Sequence, residues 1–154
     1  MLSKLITPAN IKVDLESTDK EEVFEELLEV IVAAQPGINR QEALKALTIR
    51  EEKMCTGIIP GIAVPHAVCS SVHGAVAAVG LSRDGIEYAS LDGTPVNFII
   101  MLLFAQGDTE SHLQTMKDVA SVLQHPDFMK VIMEKKTPQE VYDALYNFET
   151  EPQE

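Results

Sequence analysis

"VNFIIMLLF", residues 96–104, is apolar almost without interruption. A strand with one wet face alternates apolar and polar residues. A strand covered on both faces reads as a continuous apolar run, so this one belongs at the centre of a sheet with layers on either side. The neighbouring run "FIIMLLFA" is also far short of the ~20 residues a membrane helix needs, and nothing here is expected to span a bilayer.

Working outward from it, residues 62–64 and 75–81 read as further strands, with Arg83-Asp84-Gly85 and Asp92-Gly93 as turns between them. Helices flank this stretch on both sides. Thr18 and Glu21 have capping-box spacing, with Val23, Phe24, Leu27, Leu28 and Ile31 recurring at helical period until Pro36-Gly37. Asn39 with Glu42 starts a second helix, whose face is Ala43, Leu44 and Leu47 and which runs to about Arg50. Beyond the central strand, Asp108 or Thr109 caps a helix on which Leu113, Met116, Ala120 and Leu123 share a face, stopped by His125-Pro126. A short piece at residues 128–133 precedes Thr137, Pro138 and Glu140, which supply cap, first-turn proline and capping glutamate to a last helix bearing Val141, Leu145 and Phe148. The order helices, strands, helices implies an α/β domain, with the sheet buried between helical layers.

The chain of 154 residues is 45% hydrophobic and 23% charged, a composition and length suited to one independently folding domain. Its formal net charge of −12 argues against nucleic acid, whose phosphates demand clustered Lys and Arg. It suits a basic protein partner, or no partner at all. Two cysteines, Cys55 and Cys69, form no C-x-x-C pair, and the amino terminus lacks the apolar core of a secretory signal, so a reducing cytoplasm is expected.

Chemistry is concentrated around "GIIPGIAVPHAV", residues 57–68. Val64 and Pro65 disfavour helix, which puts His66 at the mouth of a strand or in the turn just beyond it. His125, beside Pro126 at a helix end, reads as structural, because a cation there is favoured by the helix dipole. With Asp108 or Thr109 as cap, His112 falls in the first turn of its helix, where either the dipole disfavours the protonated imidazole and free N–H groups suit an anion, or the ring is a partly exposed one that caps nothing.

"TGIIPGIAVPHA" resembles the active-site segment of the enzyme IIA domains of the mannitol/fructose class, including the nitrogen-regulatory branch, of the bacterial phosphoenolpyruvate-dependent phosphotransferase system. There a T-G-x-x-x-G-I-A-[IV]-P-H run carries the phosphorylated histidine. Arg50-Glu51 is similar to the pair that ends the family's second helix, "LDGTPVNFIIMLLFA" to its D-x-x-P-V strand entry, and "SHLQTMKDVASVL" to its H-L-x-x-L-x-x-[LV]-[AS] helix. The resemblance implies a mixed sheet of four or five strands flanked by helices on both faces, a phosphotransfer domain over residues 1–148 and a frayed tail at 149–154. It places the phosphoryl acceptor on His66, the second active-site histidine on His112 and the active-site arginine on Arg50. The donor would be the histidine-containing phosphocarrier protein and the acceptor a IIB domain, with no metal or organic cofactor. A free-standing regulator that binds proteins according to its phosphorylation state is an alternative within the same family.

Two departures stand out. Ala67 replaces the glycine usual after the acceptor, and Pro60 a small or polar residue, so strain or crowding is expected if that glycine takes a positive φ. A competing reading makes His66, Cys69 and His73, with Cys55, soft and borderline ligands for zinc, although neither C-x-x-C nor H-E-x-x-H is present. A Cys–His hydrolase is weaker still, for no reactive-cysteine signature surrounds either thiol.

Overall fold

A computed structural model describes residues 1–57 and 59–151, so Ile58 of the motif and residues 152–154 of the tail lie outside the described residues. The chain runs α1 (Leu2–Leu5), a 3-10 turn (Pro8–Asn10), β1 (Ile11–Lys12), α2 (Lys20–Ala34), α3 (Arg40–Lys53), β2 (Ile62–Ala63), β3 (His66–Val68), β4 (Ala75–Ile86), β5 (Val96–Phe104), α4 (Thr109–Leu123), α5 (Phe128–Ile132) and α6 (Pro138–Thr150). The sheet is mixed and five-stranded. β1 pairs in parallel with β4, β4 antiparallel with β5, and β2 and β3 both in parallel with β5.

β5 is central and buried on both faces, as its apolar run implies. Phe98, Ile100, Leu102 and Phe104 enter one core with residues of α1, α4, α5 and α6. Ile99, Met101 and Leu103 enter the other, under α2 and α3. The alternation is the two-residue period of a pleated strand, and each fully buried large side chain contributes roughly 1.5–3 kcal/mol.

Several local expectations shift. The first cap moves one residue: Asp19, not Thr18, accepts the Glu22 N–H at 2.9 Å, while Thr18 donates from N and Oγ1 to the Glu22 carboxylate. A carboxylate is the stronger acceptor at the positive helix end. Asn39 and Thr137 cap as expected, accepting from the N–H groups of Glu42 and Glu140. The expected turn at Arg83-Asp84-Gly85 is absorbed into β4 as an irregularity between Leu81 and Ile86, because buried Ile86 rejoins the ladder opposite Val96. β1 and β3 are too short for their periodicity to show.

On α4 the buried residues are Val119, Val122 and Leu123, whereas Leu113 and Ala120 are exposed. Its N-terminal half is mostly exposed and packs through His112 and Met116. α6 continues two residues into the expected tail, to Thr150, and the Glu149 carboxylate ties α1 down by accepting from the backbone N–H groups of Leu2 and Ser3. No helix among the described residues is long and apolar enough to cross a membrane.

Candidate active site

The edge of β5 is shared by two short strands because Pro65 stands between them. Proline has no N–H to donate, so the ladder breaks there and the site forms at a sheet edge. β2 sets Ile62 opposite Phe98, and β3 sets His66 opposite Leu102. The turn that leads in is closed by Ile62 N–H donating to the Ile59 carbonyl at 3.0 Å, with Gly61 at φ 77°. Pro60 thus occupies the second position of a turn that favours proline there and glycine next, which accounts for it. Ala67 is unstrained as well. Ala89 is the one non-glycine residue at positive φ among the described residues, and the Ala67 side chain is buried beneath α2 and α3.

With Ala67 turned into that core, His66 is directed to the opposite side of the pleat and opens β3 instead of following a strand. Its Nδ1 lies 2.8 Å from the Val64 carbonyl oxygen. A carbonyl only accepts, so Nδ1 carries the proton and Nε2 keeps its lone pair. Burial, assisted by the nearby Arg50 charge and by His112 when it is protonated, holds the His66 pKa below the ordinary histidine value, against the opposing pull of the Val64 carbonyl and Glu51. The neutral, nucleophilic form is favoured.

His112 follows the N-cap Asp108, whose carboxylate accepts from Ser111 N–H at 3.2 Å. Its ring stacks on Phe104, with centroids 4.0 Å apart and planes at 14°. The His66 ring lies 6.3 Å away, edge to face at 75°. The His112 pKa is lowered, the direction expected from the helix start, and burial is the cause. Arg50, in the last turn of α3, donates from Nη1 to the Met54 carbonyl at 3.1 Å. It borders a cavity of about 300 Å³ together with His66 and His112, and a second of about 190 Å³ with His66, Met54, Met116 and Ala120. The fold therefore brings all three expected residues to one depression.

Around it stands an apolar collar that sequence reasoning missed. Ile49 and Val68 line the first cavity and Met54 the second, and they are 44%, 42% and 56% exposed. The signal available was Ile49, an apolar residue off the Ala43, Leu44, Leu47 stripe. The burial of Glu51, only 7% exposed, also went unread, since sequence does not reveal that a helix-end glutamate is buried.

The zinc reading finds no geometry. Among the described residues no group of three His, Cys, Asp or Glu side chains is arranged to hold a metal ion. Cys69 Sγ donates to Glu42, exposed His73 is paired through its backbone with Gln35, and Cys55 lies against Ala89 and Gly57. His125 packs its ring on Phe148 and accepts the Asp127 N–H on Nδ1, away from the depression.

Residues 4–148 match the profile of the family described as phosphoenolpyruvate-dependent sugar phosphotransferase system, EIIA 2. The fructose-specific EIIABC component of Bacillus subtilis is 33% identical over 94% of this chain, which spans only 23% of that protein's length. The fructose-specific EIIA component of Haloferax volcanii is 33% identical, with 91% of this chain and 92% of that protein covered. A nitrogen regulatory protein of Pseudomonas aeruginosa is 26% identical over 94% of both chains. In fold, the crystal structure of nitrogen regulatory protein IIA-Ntr from Neisseria meningitidis superposes with a TM-score of 0.85 at 24% identity, covering 94% of this chain and 98% of that one.

Proposed function

Because the chain belongs to the EIIA 2 family of the phosphoenolpyruvate-dependent sugar phosphotransferase system, we propose that it is a phosphoryl carrier that takes phosphate on Nε2 of His66. The observation that carries this reading is the Nδ1–H donated to Val64, which leaves the Nε2 lone pair free in a depression shared with a second neutral histidine and a permanent cation. The Nε2 lone pair attacks phosphorus of a phosphohistidine on the histidine-containing phosphocarrier protein. The donor's P–N bond breaks, its electron pair returns to the donor ring, and the His66 proton stays on Nδ1, still donated to the Val64 carbonyl.

Such a transfer needs positioning and stabilisation of the equatorial oxygens. Arg50 supplies fixed positive charge in a planar fork, and His112 supplies a hydrogen bond without a second permanent ion pair that would trap the phosphate. Ile49, Met54 and Val68 give donor and acceptor an apolar patch to dock on, and the net charge of −12 steers a basic partner face in a salt-dependent way. A IIB domain is the acceptor in a sugar-uptake role, favoured by the likeness to two fructose-specific proteins. The likeness to nitrogen regulatory proteins supports a second reading, in which phosphorylation of the same residue governs binding to a target protein.

Intact-mass spectrometry after incubation with phosphoenolpyruvate, enzyme I and the phosphocarrier protein tests the common step. One acid-labile phosphoryl group is expected on the native chain and none on His66→Ala. Normal labelling of that variant refutes the assignment. Adding a IIB domain then separates the two roles, since only the uptake carrier passes its phosphate on.

A further inference from the structure

Behind the depression, a buried hydrogen-bonded path leads from a carboxylate to the acceptor ring. Glu51 Oε1 accepts the Thr56 N–H and Oε2 the Thr56 hydroxyl, each at 2.8 Å. With that hydroxyl proton committed, the Tyr88 hydroxyl 2.9 Å away donates to Thr56 Oγ1. Burial raises the Tyr88 pKa, so its proton is retained. Lys20 Nζ lies 3.5 Å from Glu51 and 4.6 Å from the centre of the Tyr88 ring. From Thr56 the path continues through the backbone: its carbonyl accepts the Val64 N–H at 3.3 Å, and the Val64 carbonyl holds the Nδ1–H of His66. The turn closed by Glu51 and Thr56 also contains Met54, whose carbonyl braces Arg50.

We propose that Glu51 is a positioning residue for phosphoryl transfer, clamping Thr56 and through it the backbone that fixes the His66 tautomer and the turn that braces Arg50. The inference rests on the carrier reading above. It differs from a stability role in a checkable way, because the clamp acts on one ring nitrogen two hydrogen bonds beyond Thr56.

The test pairs ring-nitrogen NMR of unphosphorylated protein with the rate of labelling by phosphorylated phosphocarrier protein, for Glu51→Gln, Thr56→Val and Thr56→Ser. Glu149→Ala serves as a control, since it loosens α1 and touches nothing on the path. The native chain, Thr56→Ser and the control are expected to show His66 as a single Nδ1–H tautomer. Thr56→Val and Glu51→Gln are expected to show averaged tautomers and labelling slowed by ~10-fold at saturating donor, with the donor's KM unchanged, since small misplacements at a reacting centre carry penalties of this order. A folded Thr56→Val or Glu51→Gln with native tautomer and native rate overturns the proposal, as does a Thr56→Ser as slow as Thr56→Val. If Glu51→Gln does not fold, Thr56→Val decides, because it keeps the Thr56 N–H bond. Should the native chain itself take no phosphate, the carrier reading fails while the ring spectra still judge the clamp.

Discussion

His66 is poised by the removal of alternatives. One ring nitrogen is occupied by a carbonyl, and the ring's burial beside Arg50 and His112 depresses its protonation. Its titration midpoint, followed by NMR, is therefore expected below the ordinary histidine value of 6.5, and labelling should slow only as pH falls through that lowered midpoint. Arg50→Ala removes a neighbouring positive charge, so the midpoint should move upward while labelling slows. An unchanged midpoint would mean that the guanidinium does not bear on the ring. His112→Ala should slow transfer and leave His66 as the acceptor, read by the same mass addition arriving late.

At the scale of elements, the site depends on where helices begin and where segments are pinned. Asn39 starts α3, which ends in Arg50 and Glu51, by accepting the Glu42 N–H at 3.0 Å. Asn39→Ala should lower the stability measured by urea unfolding by ~1 kcal/mol, the usual effect of losing an N-cap. Gly61→Ala combines φ 77° with a Cβ 3.1 Å from Met129 Cε, and a loss of at least ~1 kcal/mol is expected from the backbone conformation alone. Glu26 anchors α2 to the segment after β1. Burial raises its pKa, but Lys12 at 2.7 Å, the Ser17 hydroxyl and the N–H groups of Glu16 and Ser17 outweigh that and bring it down to about 2. A carboxylate lowered on folding contributes stability above its unfolded value, lost as pH falls through its folded one. Glu26→Gln should thus be ~1–2 kcal/mol less stable at neutral pH, after allowance for solvent screening of a partly exposed pair. The gap should close between pH 4.5 and about 2 in acid-denaturation curves.

For the molecule as a whole, β5 is the common wall of two cores. Phe98 meets Phe128 on one side, at 4.9 Å between ring centres, and Ile99 and Met101 face α2 and α3 on the other. Phe98→Ala and Leu27→Ala, one in each core, are each expected to cost roughly 3–5 and 2–5 kcal/mol, large against the 5–15 kcal/mol of a typical domain. Both should shift a single cooperative urea transition. Two separate transitions for either variant would show that the layers unfold independently. The same strand places Leu102 opposite His66 and Phe104 under His112, so damage to its packing reaches the site without touching it.

The α/β class was legible in residues 96–104, because an unbroken apolar run with no polar face has to be covered twice, and the helical periods on either side supply the cover. The capped helix starts at Asn39 and Thr137 and the motif ending in His66 were legible for the same reason: their signals lie within a few residues. The turn expected at Arg83-Asp84-Gly85 was misread because local turn chemistry yields to a ladder that resumes at Ile86. Leu113 and Ala120 were misread because periodicity marks an apolar face without saying whether anything covers it. What only the tertiary structure decided is contact and direction: that β2 and β3 share one edge of β5, that Val64 selects the His66 tautomer, that Arg50 and His112 meet that ring, and that Glu51 is buried against Thr56. Each depends on groups far apart along the chain or turned inward by packing, and burial and direction are properties of the folded surface rather than of residue order.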